Sequence, residues 1–304
     1  MGERSNTRRS LAHAKVNPFL RVVGRRPDGY HDIETVVLPI SLADVLEIHA
    51  FADPAQFRTL SLSLDVSGEP ELVRRVPADE TNLILRAAKA LADRGGIRGF
   101  AEIRLEKRIP VAAGLGGGSA DAAATLSALN DLWDLEVSQA DLSAVASEVG
   151  SDVPAMLRGC SWARGRGEDV AGLETPSYRW ALVTFDFGVS TADAYRWWDE
   201  DGSATGPEIP SPRDCLGGSP DETGPRLFND LEPPVVRRYP AIGQAKELML
   251  EGAAAGAVMS GSGPSVAGLL MDDRPLPAQI QHEIERMSGR PVGYVRSLAS
   301  RPSA

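Results

Sequence analysis

The sequence predicts an α+β protein built from two domains, with a division near residue 170. Three observations predict it: period-two alternation through the first third, helical stripes bounded by capping residues from position 81 onward, and a last third in which strands and helices alternate without repeating. At 304 residues, 42% of them hydrophobic, the chain has material for two cores and is too apolar to be disordered.

Taken in order, Arg21-Val22-Val23 reads as the end of a strand and Gly24-Arg25-Arg26-Pro27-Asp28-Gly29 as the turn after it. Proline presets φ there, and Asp-Gly supplies a side-chain acceptor followed by a position tolerant of positive φ. Residues 33–38 and 45–48 read as two strands, and 60–64 as a third whose leucines alternate cleanly. Between 81 and 94, Ile84, Ala87, Ala88 and Leu91 share one helical face, and Gly95-Gly96 supplies a stop. Residues 101–105 return to strand. Ala122, Leu126, Leu129 and Trp133 then give a helical stripe over 119–133. Ser138 stands where a cap would, ahead of Leu142, Val145, Ala146 and Val149, and Gly150 ends that stripe. The remainder predicts strand over 180–185, a helix from Pro240 with Ile242, Ala245, Leu248 and Met249 apolar, strand over 266–270, helix over 279–287 and strand over 292–296.

Composition narrows the function before any motif is read. The 32 basic and 42 acidic side chains leave a net charge of −10, the wrong sign for a protein that neutralises a nucleic-acid backbone. The charge is uneven: residues 1–30 hold seven bases against two acids, whereas 199–232 holds nine acids, two bases, five prolines and five glycines. The second stretch reads as a solvated excursion. Cys160 and Cys215 are too few for a disulfide framework or a four-ligand metal site, and the four histidines show no close metal-type pairing. Nothing resembles a membrane span or a secretory leader, so the sequence reads as soluble and cytoplasmic, with no membrane or nucleic-acid partner and a monomer or homodimer as its assembly.

The strongest local feature is Pro110-Val111-Ala112-Ala113-Gly114-Leu115-Gly116-Gly117-Gly118-Ser119-Ala120, which feeds directly into a helix. Four glycines in five residues let backbone N–H groups close around an anion, and the helix adds unpaired N–H groups and a positive dipole end. Ser119 can add a hydroxyl. The segment departs from the lysine-containing Walker loop, because Ser-Ala-Asp follows its last glycine. It also departs from the dinucleotide fingerprint, because Ser119 stands where the third glycine would be and Pro110 separates it from the strand.

This loop resembles the first glycine-rich signature of the GHMP kinases, the superfamily of galactokinase, homoserine kinase and mevalonate kinase. Met259-Ser260-Gly261-Ser262-Gly263-Pro264-Ser265 resembles its second glycine motif. Ala14-Lys15-Val16-Asn17, the Gly24–His31 turn, Asn82-Leu83-Ile84, Gly150-Ser151-Asp152-Val153-Pro154 and Asn229-Asp230-Leu231-Glu232 are similar to the branch that phosphorylates a cytidine diphosphate-linked methylerythritol. The resemblance implies a two-domain GHMP kinase fold. Residues 8–170 would form a ribosomal-protein-S5-domain-2-like domain and 171–304 a ferredoxin-like α+β domain, with the active site in the cleft between them.

It also implies ATP as phosphoryl donor, Mg2+ held mainly by the ATP, and a catalytic pair, Lys15 and Asp152. A carboxylate in reach of an alcohol can take its proton as attack proceeds, while an ammonium stabilises the developing alkoxide. Residues 110–120 and Asn82 would serve ATP; Asn17, Tyr30, His31, Tyr195, Gly261 and Ser262 would serve the substrate, Tyr30 and Tyr195 as aromatic faces for the base. Plainer readings stand beside these. Asp152 could cap a short helix, Lys15 could be a solvated edge residue, Asn82 could be a helix cap, and Tyr195 could pack with Trp197 and Trp198. His13 and Pro18 depart from the family's usual opening, and Pro18 implies an edge or a bulge because it lacks an N–H. Ala120 replaces a frequent serine. A homoserine- or mevalonate-type kinase and a catalytically silent nucleotide-binding regulator are the competing functions.

Overall fold

The computed structural model describes residues 6–201 and 212–299, which form two compact units. One comprises Met1–Ala14, Leu42–Val111 and Gly116–Leu157; the other comprises Lys15–Ser41, Ala112–Leu115 and Arg158–Ala304. The units thus interleave along the chain, whereas the sequence suggests one cut near 170. Strands β1 (Thr7–Arg25) and β2 (His31–Ala52) each contribute residues to both. The two separate strands predicted over 33–38 and 45–48 are one strand. Proline at 39 accepts extended backbone readily, and the apparent break is used: Leu298 N–H donates to Pro39 O at 2.9 Å, and Ile40 bridges to Ser297.

In the first unit, β3 (Leu60–Gly68) is followed by the short α1 (Pro70–Val73), α2 (Leu83–Gly95), β4 (Gly99–Lys107), α3 (Gly117–Leu132), α4 (Gln139–Val149) and α5 (Val153–Arg158). β3 pairs parallel with β4, and β4 pairs antiparallel with the second half of β2. The predicted capping chemistry is realised. Gly96 ends α2 in the left-handed region at φ 61°, and Ser138 Oγ accepts the Asp141 N–H at 3.2 Å to start α4. The core lies between this sheet and the helices. Ile84, Leu91, Ile103, Leu105, Leu126 and Leu129 are fully or almost fully buried in it, each side chain worth roughly 1.5–3 kcal/mol of transfer free energy.

The second unit adds β5 (Ser161–Gly165), which pairs with the first half of β2, and β6 (Asp169–Gly172) beside it. Next come β7 (Arg179–Val183), α6 (Thr191–Asp201), α7 (Pro212–Cys215), α8 (Pro220–Thr223), β8 (Phe228–Asn229), α9 (Glu232–Arg238), α10 (Pro240–Glu251), β9 (Ala254–Met259), β10 (Val266–Leu270), α11 (Ala278–Ser288) and β11 (Gly293–Arg296). β11, β7, β10 and β9 make an antiparallel sheet, packed with α10 against a core that includes Ile242, Ala245, Met249 and Val266. β8 pairs parallel with β1 at Phe19 and Leu20, so Pro18 sits just before that short pairing.

The acidic stretch needs correction in part. Residues 202–211 lie outside the described residues, but 212–232 is not a solvated excursion: Cys215 and Leu216 are 2% exposed, Thr223 is fully buried, and β8 is a strand. Proline and glycine there start helices and permit close backbone approach. At Gly224 a Cβ would meet the Ala255 carbonyl at 2.1 Å.

Candidate functional site

Lys15 is the clearest case of a side chain placed against its ordinary preference. Residues 14–20 of β1 are buried without alternation, and Lys15 is only 4% exposed. Its Nζ donates to Asn17 Oδ1 and, at 2.6 Å, to the Gly114 carbonyl, while its own N–H donates to Leu115 O at 3.0 Å. The reading as a solvated edge residue is therefore excluded by burial.

Asn17 is held in turn. Its Nδ2 donates to Thr35 Oγ1 at 2.8 Å and to Val36 O at 3.2 Å, and its N–H donates to Ser260 Oγ at 3.2 Å. Ser260 Oγ donates to the same Gly114 carbonyl at 2.9 Å, and Thr35 Oγ1 donates to Phe19 O at 2.7 Å. The two glycine motifs meet here. A Cβ on Gly114, at φ +74°, would sit 2.1 Å from Ser260 O; one on Gly261, at φ +57°, would sit 2.9 Å from Lys15 Nζ. Both positions require glycine for conformation and for space. Ser262 lies outside this network, its Oγ 3.0 Å from Thr191 Oγ1 on the exposed side.

Sequence reasoning left Ser260, Thr35 and the Asn229–Glu232 segment without roles. Asn229 Nδ2 donates to Met259 O at 2.6 Å and Gly261 O at 2.7 Å, and Glu232 Oε2 accepts the Met259 N–H at 2.8 Å, so this segment staples the second glycine motif. Asp230 Oδ2 accepts the Val22 N–H at 2.8 Å, and burial pushes its carboxyl above the usual range. The Asn-Asp-Leu-Glu run, polar at three of four positions yet buried at Asn229 and Asp230, is the signal that marks it.

In the first unit, the glycine-rich loop ends on the N-terminus of α3. The helix starts at Gly117, two residues earlier than its apolar stripe predicts, with Gly116 as N-cap at φ 67° and no side-chain cap. The amides of Gly117, Gly118 and Ser119 thus lack intrahelical partners and a capping acceptor, which is the electrostatic ground for an anion site. Ala120 faces inward at 3% exposure and its N–H donates to Gly116 O at 2.9 Å, so a serine hydroxyl at 120 would point to the core.

Beneath this helix start lies a buried charge cluster that the motifs did not reveal. Ala101, Ile103 and Leu105 face the core along β4, and the same period carries Lys107 inward at 4% exposure. Its Nζ donates to Asp44 Oδ2 at 2.5 Å and Asp121 Oδ2 at 2.9 Å, and lies 3.0 Å from where a Cβ on Gly117 would be. Asp44 Oδ1 also accepts from the N–H groups of Arg108 and Ile109 at 2.6 and 2.8 Å. Burial alone would lower the pKa of Lys107, but Asp121 and Asp44 outweigh it and the net shift is upward. Asp121 is pushed up to about 7, by burial first, against the opposing pull of Lys107.

Asp152 is exposed at the start of α5. Its carbonyl accepts the Met156 N–H at 3.0 Å, but among the described residues its carboxylate makes no hydrogen bond, so it occupies the cap position without capping. Asn82 does cap: its Oδ1 accepts the Ile84 N–H at 2.9 Å to start α2, and its Nδ2 donates to Pro77 O at 2.6 Å. The two thiols are inert by burial, Cys160 pushed up to about 12 and Cys215 to about 11.

The Pro-Asp-Gly turn places Tyr30 and His31 as predicted. Arg26 N–H donates to Tyr30 O at 2.7 Å, Asp28 Oδ1 accepts the Tyr30 N–H at 3.1 Å, and Gly29 takes φ +87°. Tyr30 is 56% exposed, with the Arg166 guanidinium 5.1 Å from its ring centroid. His31 is enclosed, stacked on Tyr195 at 4.8 Å and 21°. Tyr195 thus faces His31 while also packing against the core that holds Trp198.

Among the described residues, no group of three or more His, Cys, Asp or Glu side chains is arranged to hold a metal ion. The orphaned buried oxygen of Asp121 does not offer one, because the Lys107 ammonium already occupies that carboxylate. No helix among the described residues is long and apolar enough to cross a membrane.

Residues 82–160 match the GHMP kinases N terminal domain and residues 213–288 the GHMP kinases C terminal domain. A 4-diphosphocytidyl-2-C-methyl-D-erythritol kinase from Pelotomaculum thermopropionicum is 43% identical over 266 residues, covering 86% of this chain and 89% of that protein. One from Symbiobacterium thermophilum is 40% identical over 294 residues, covering 94% and 98%. A crystal structure of 4-(cytidine 5'-diphospho)-2C-methyl-D-erythritol kinase superposes with a TM-score of 0.75 at 34% identity, covering 96% of this chain and all of that one.

Proposed function

Because the chain belongs to the 4-diphosphocytidyl-2-C-methyl-D-erythritol kinase family of GHMP kinases, we propose that it transfers the γ-phosphoryl group of ATP to the 2-hydroxyl of the cytidine diphosphate-linked methylerythritol that its relatives are named for. Asp152 takes the hydroxyl proton as the oxygen attacks the γ-phosphorus; the bond from that phosphorus to the β,γ-bridging oxygen breaks, and ADP leaves with the 2-phosphate formed. Lys15 stabilises the developing alkoxide, and the open amides at the start of α3 receive nucleotide phosphates. The observation that carries this reading is the presentation of Lys15: a buried ammonium held by an amide oxygen and a backbone carbonyl at the meeting of two glycine motifs.

Asn17 orients that ammonium, its Oδ1 keeping one lone pair for a substrate hydroxyl. Gly261 leaves the space in front of Lys15 clear, and Ser262 lends a hydroxyl at its rim. Asn82 keeps one amide proton for the nucleotide beyond its capping role. Tyr30 and Tyr195 supply aromatic faces for the cytosine, and His31 and the backbone beside it supply its polar reader. Mg2+ bound to the ATP would screen its phosphates. The functional division we propose is 8–170 and 171–304; one family match falls inside each, at 82–160 and 213–288. The reaction takes place in the cytoplasm, in the isoprenoid precursor route that the substrate defines.

ADP release measured with the cytidyl substrate, homoserine and mevalonate tests the proposal. Turnover of the cytidyl substrate alone is expected, with Asp152→Asn lowering kcat by about 10²–10⁴-fold, the usual worth of a general base. Turnover of homoserine in preference to the cytidyl substrate would overturn it. So would ATP binding without ADP release on any of the three.

A further inference from the structure

The His31 ring is fixed by one face of one helix. Tyr195, Trp198 and Asp199 stand at i, i+3 and i+4 on α6, and all three reach it. Tyr195 stacks at 4.8 Å, Trp198 meets the ring edge-on at 5.7 Å and 86°, and Asp199 Oδ1 lies 2.9 Å from Nε2. The His31 side chain is only 7% exposed. Asp199 Oδ2 is also 3.4 Å from an Arg25 guanidinium nitrogen, so a single carboxylate holds both ends of the 25–31 turn.

An ionised carboxylate only accepts hydrogen bonds, so Nε2 carries the proton of this contact and the tautomer and tilt of the ring are both set. The stacking partner holds the ring plane, and the carboxylate stops rotation within it. Tyr30, the next residue along, has its N–H on Asp28 and its carbonyl on Arg26, so the turn has little freedom left once His31 is anchored.

We propose that Asp199 is a positioning residue for recognition of the substrate's base: it acts through His31 and Arg25 to hold the Tyr30–His31 edge in its binding geometry. The inference rests on the proposed function, which gives that edge to the cytosine, and it assigns Asp199 a role in affinity and base selectivity, not in phosphoryl transfer.

Steady-state ADP release on the full-length protein separates the two claims. Wild-type turnover of the cytidyl substrate, with discrimination against its uridine analogue, tests the reading on which the inference rests. Asp199→Ala then tests the inference itself. It is expected to raise KM for the cytidyl substrate about tenfold, the size of a lost hydrogen bond to a charged group, and to narrow the cytidine-to-uridine preference. The KM for ATP and kcat stay within about twofold. Asp199→Asn, which keeps an acceptor oxygen, restores most of the affinity. His31→Phe, which keeps the stack and loses the nitrogen, combines with Asp199→Ala less than additively, since both remove the same contact.

A fall in kcat with KM unchanged, fully additive losses, or an Asn variant no better than Ala would each overturn the proposal. Should the Ala variant fail to fold, nitrogen chemical shifts of His31 in the wild-type protein, identified by their loss in His31→Phe, still decide. A protonated Nε2 is expected, and a ring protonated only at Nδ1 contradicts it.

Discussion

Two lysines in this protein are equally buried, each 4% exposed, and are used in opposite ways. Lys107, in the first unit, sits between the carboxylates of Asp44 and Asp121. Lys15, in the second, donates to an amide oxygen and a backbone carbonyl. The cluster at Lys107 consumes the ammonium's charge inside the fold, whereas the Lys15 ammonium is oriented by an amide oxygen and a backbone carbonyl at the meeting of the two glycine motifs. Burial of a lysine is thus no guide to function by itself; what accepts its protons is. The Lys107 ion cluster fixes the start of α3, and the proposed role of Lys15 is to meet a developing negative charge.

The comparison is sharpest where one charge is removed. Lys107→Met strands two carboxylates in the core, and urea unfolding is expected to show about 3–5 kcal/mol of lost stability, the usual cost of breaking a buried ion pair from one side. Lys15→Met removes the donor to Asn17 Oδ1 and to the Gly114 carbonyl. Its ADP release is expected to fall about 10²–10³-fold with a much smaller loss of stability. Gly261→Ala adds a methyl 2.9 Å from Lys15 Nζ at φ +57°, and a cost of about 1–2 kcal/mol in transition-state stabilisation is expected as a lower kcat/KM.

Asp121→Asn gives the smallest effect and a signed one. With its pKa raised to about 7, chiefly by burial, Asp121 binds its proton more tightly in the folded chain than in the unfolded one. Its ionisation therefore costs stability progressively as pH rises from about 4 to about 7. The asparagine variant should match or exceed wild type in thermal melts at pH 8, and its advantage should shrink toward pH 4. An advantage that grows on acidification would mean that the carboxylate is stabilised in its ionised form.

Much of this was legible in the chain. Helix ends were read correctly where side-chain or glycine chemistry marks them, at Gly96, Ser138 and Pro240. The start of α3 was read two residues late, because its first turn is glycine and carries no apolar stripe. Strands β5, β6 and β9 went unread, being short or built from small and polar residues whose periodicity is weak. Glycine motifs and the turn before His31 were legible because they depend on local conformation. The supports behind them were not: Thr35, Ser260 and Asn229 are ordinary polar residues until the fold brings them within 3.2 Å of their partners. Lys107 had a visible signal in the unbroken alternation of β4, which places a lysine at a core position.

Whether Lys15 is held for its charge or for the fold is answered by one paired experiment: urea unfolding and ADP release on wild type and Lys15→Met, with the cytidyl substrate and ATP both saturating. A near-unchanged unfolding midpoint with kcat lowered at least about a hundredfold is the predicted result. A variant that unfolds at far lower urea while its folded fraction turns over at the wild-type rate would contradict it.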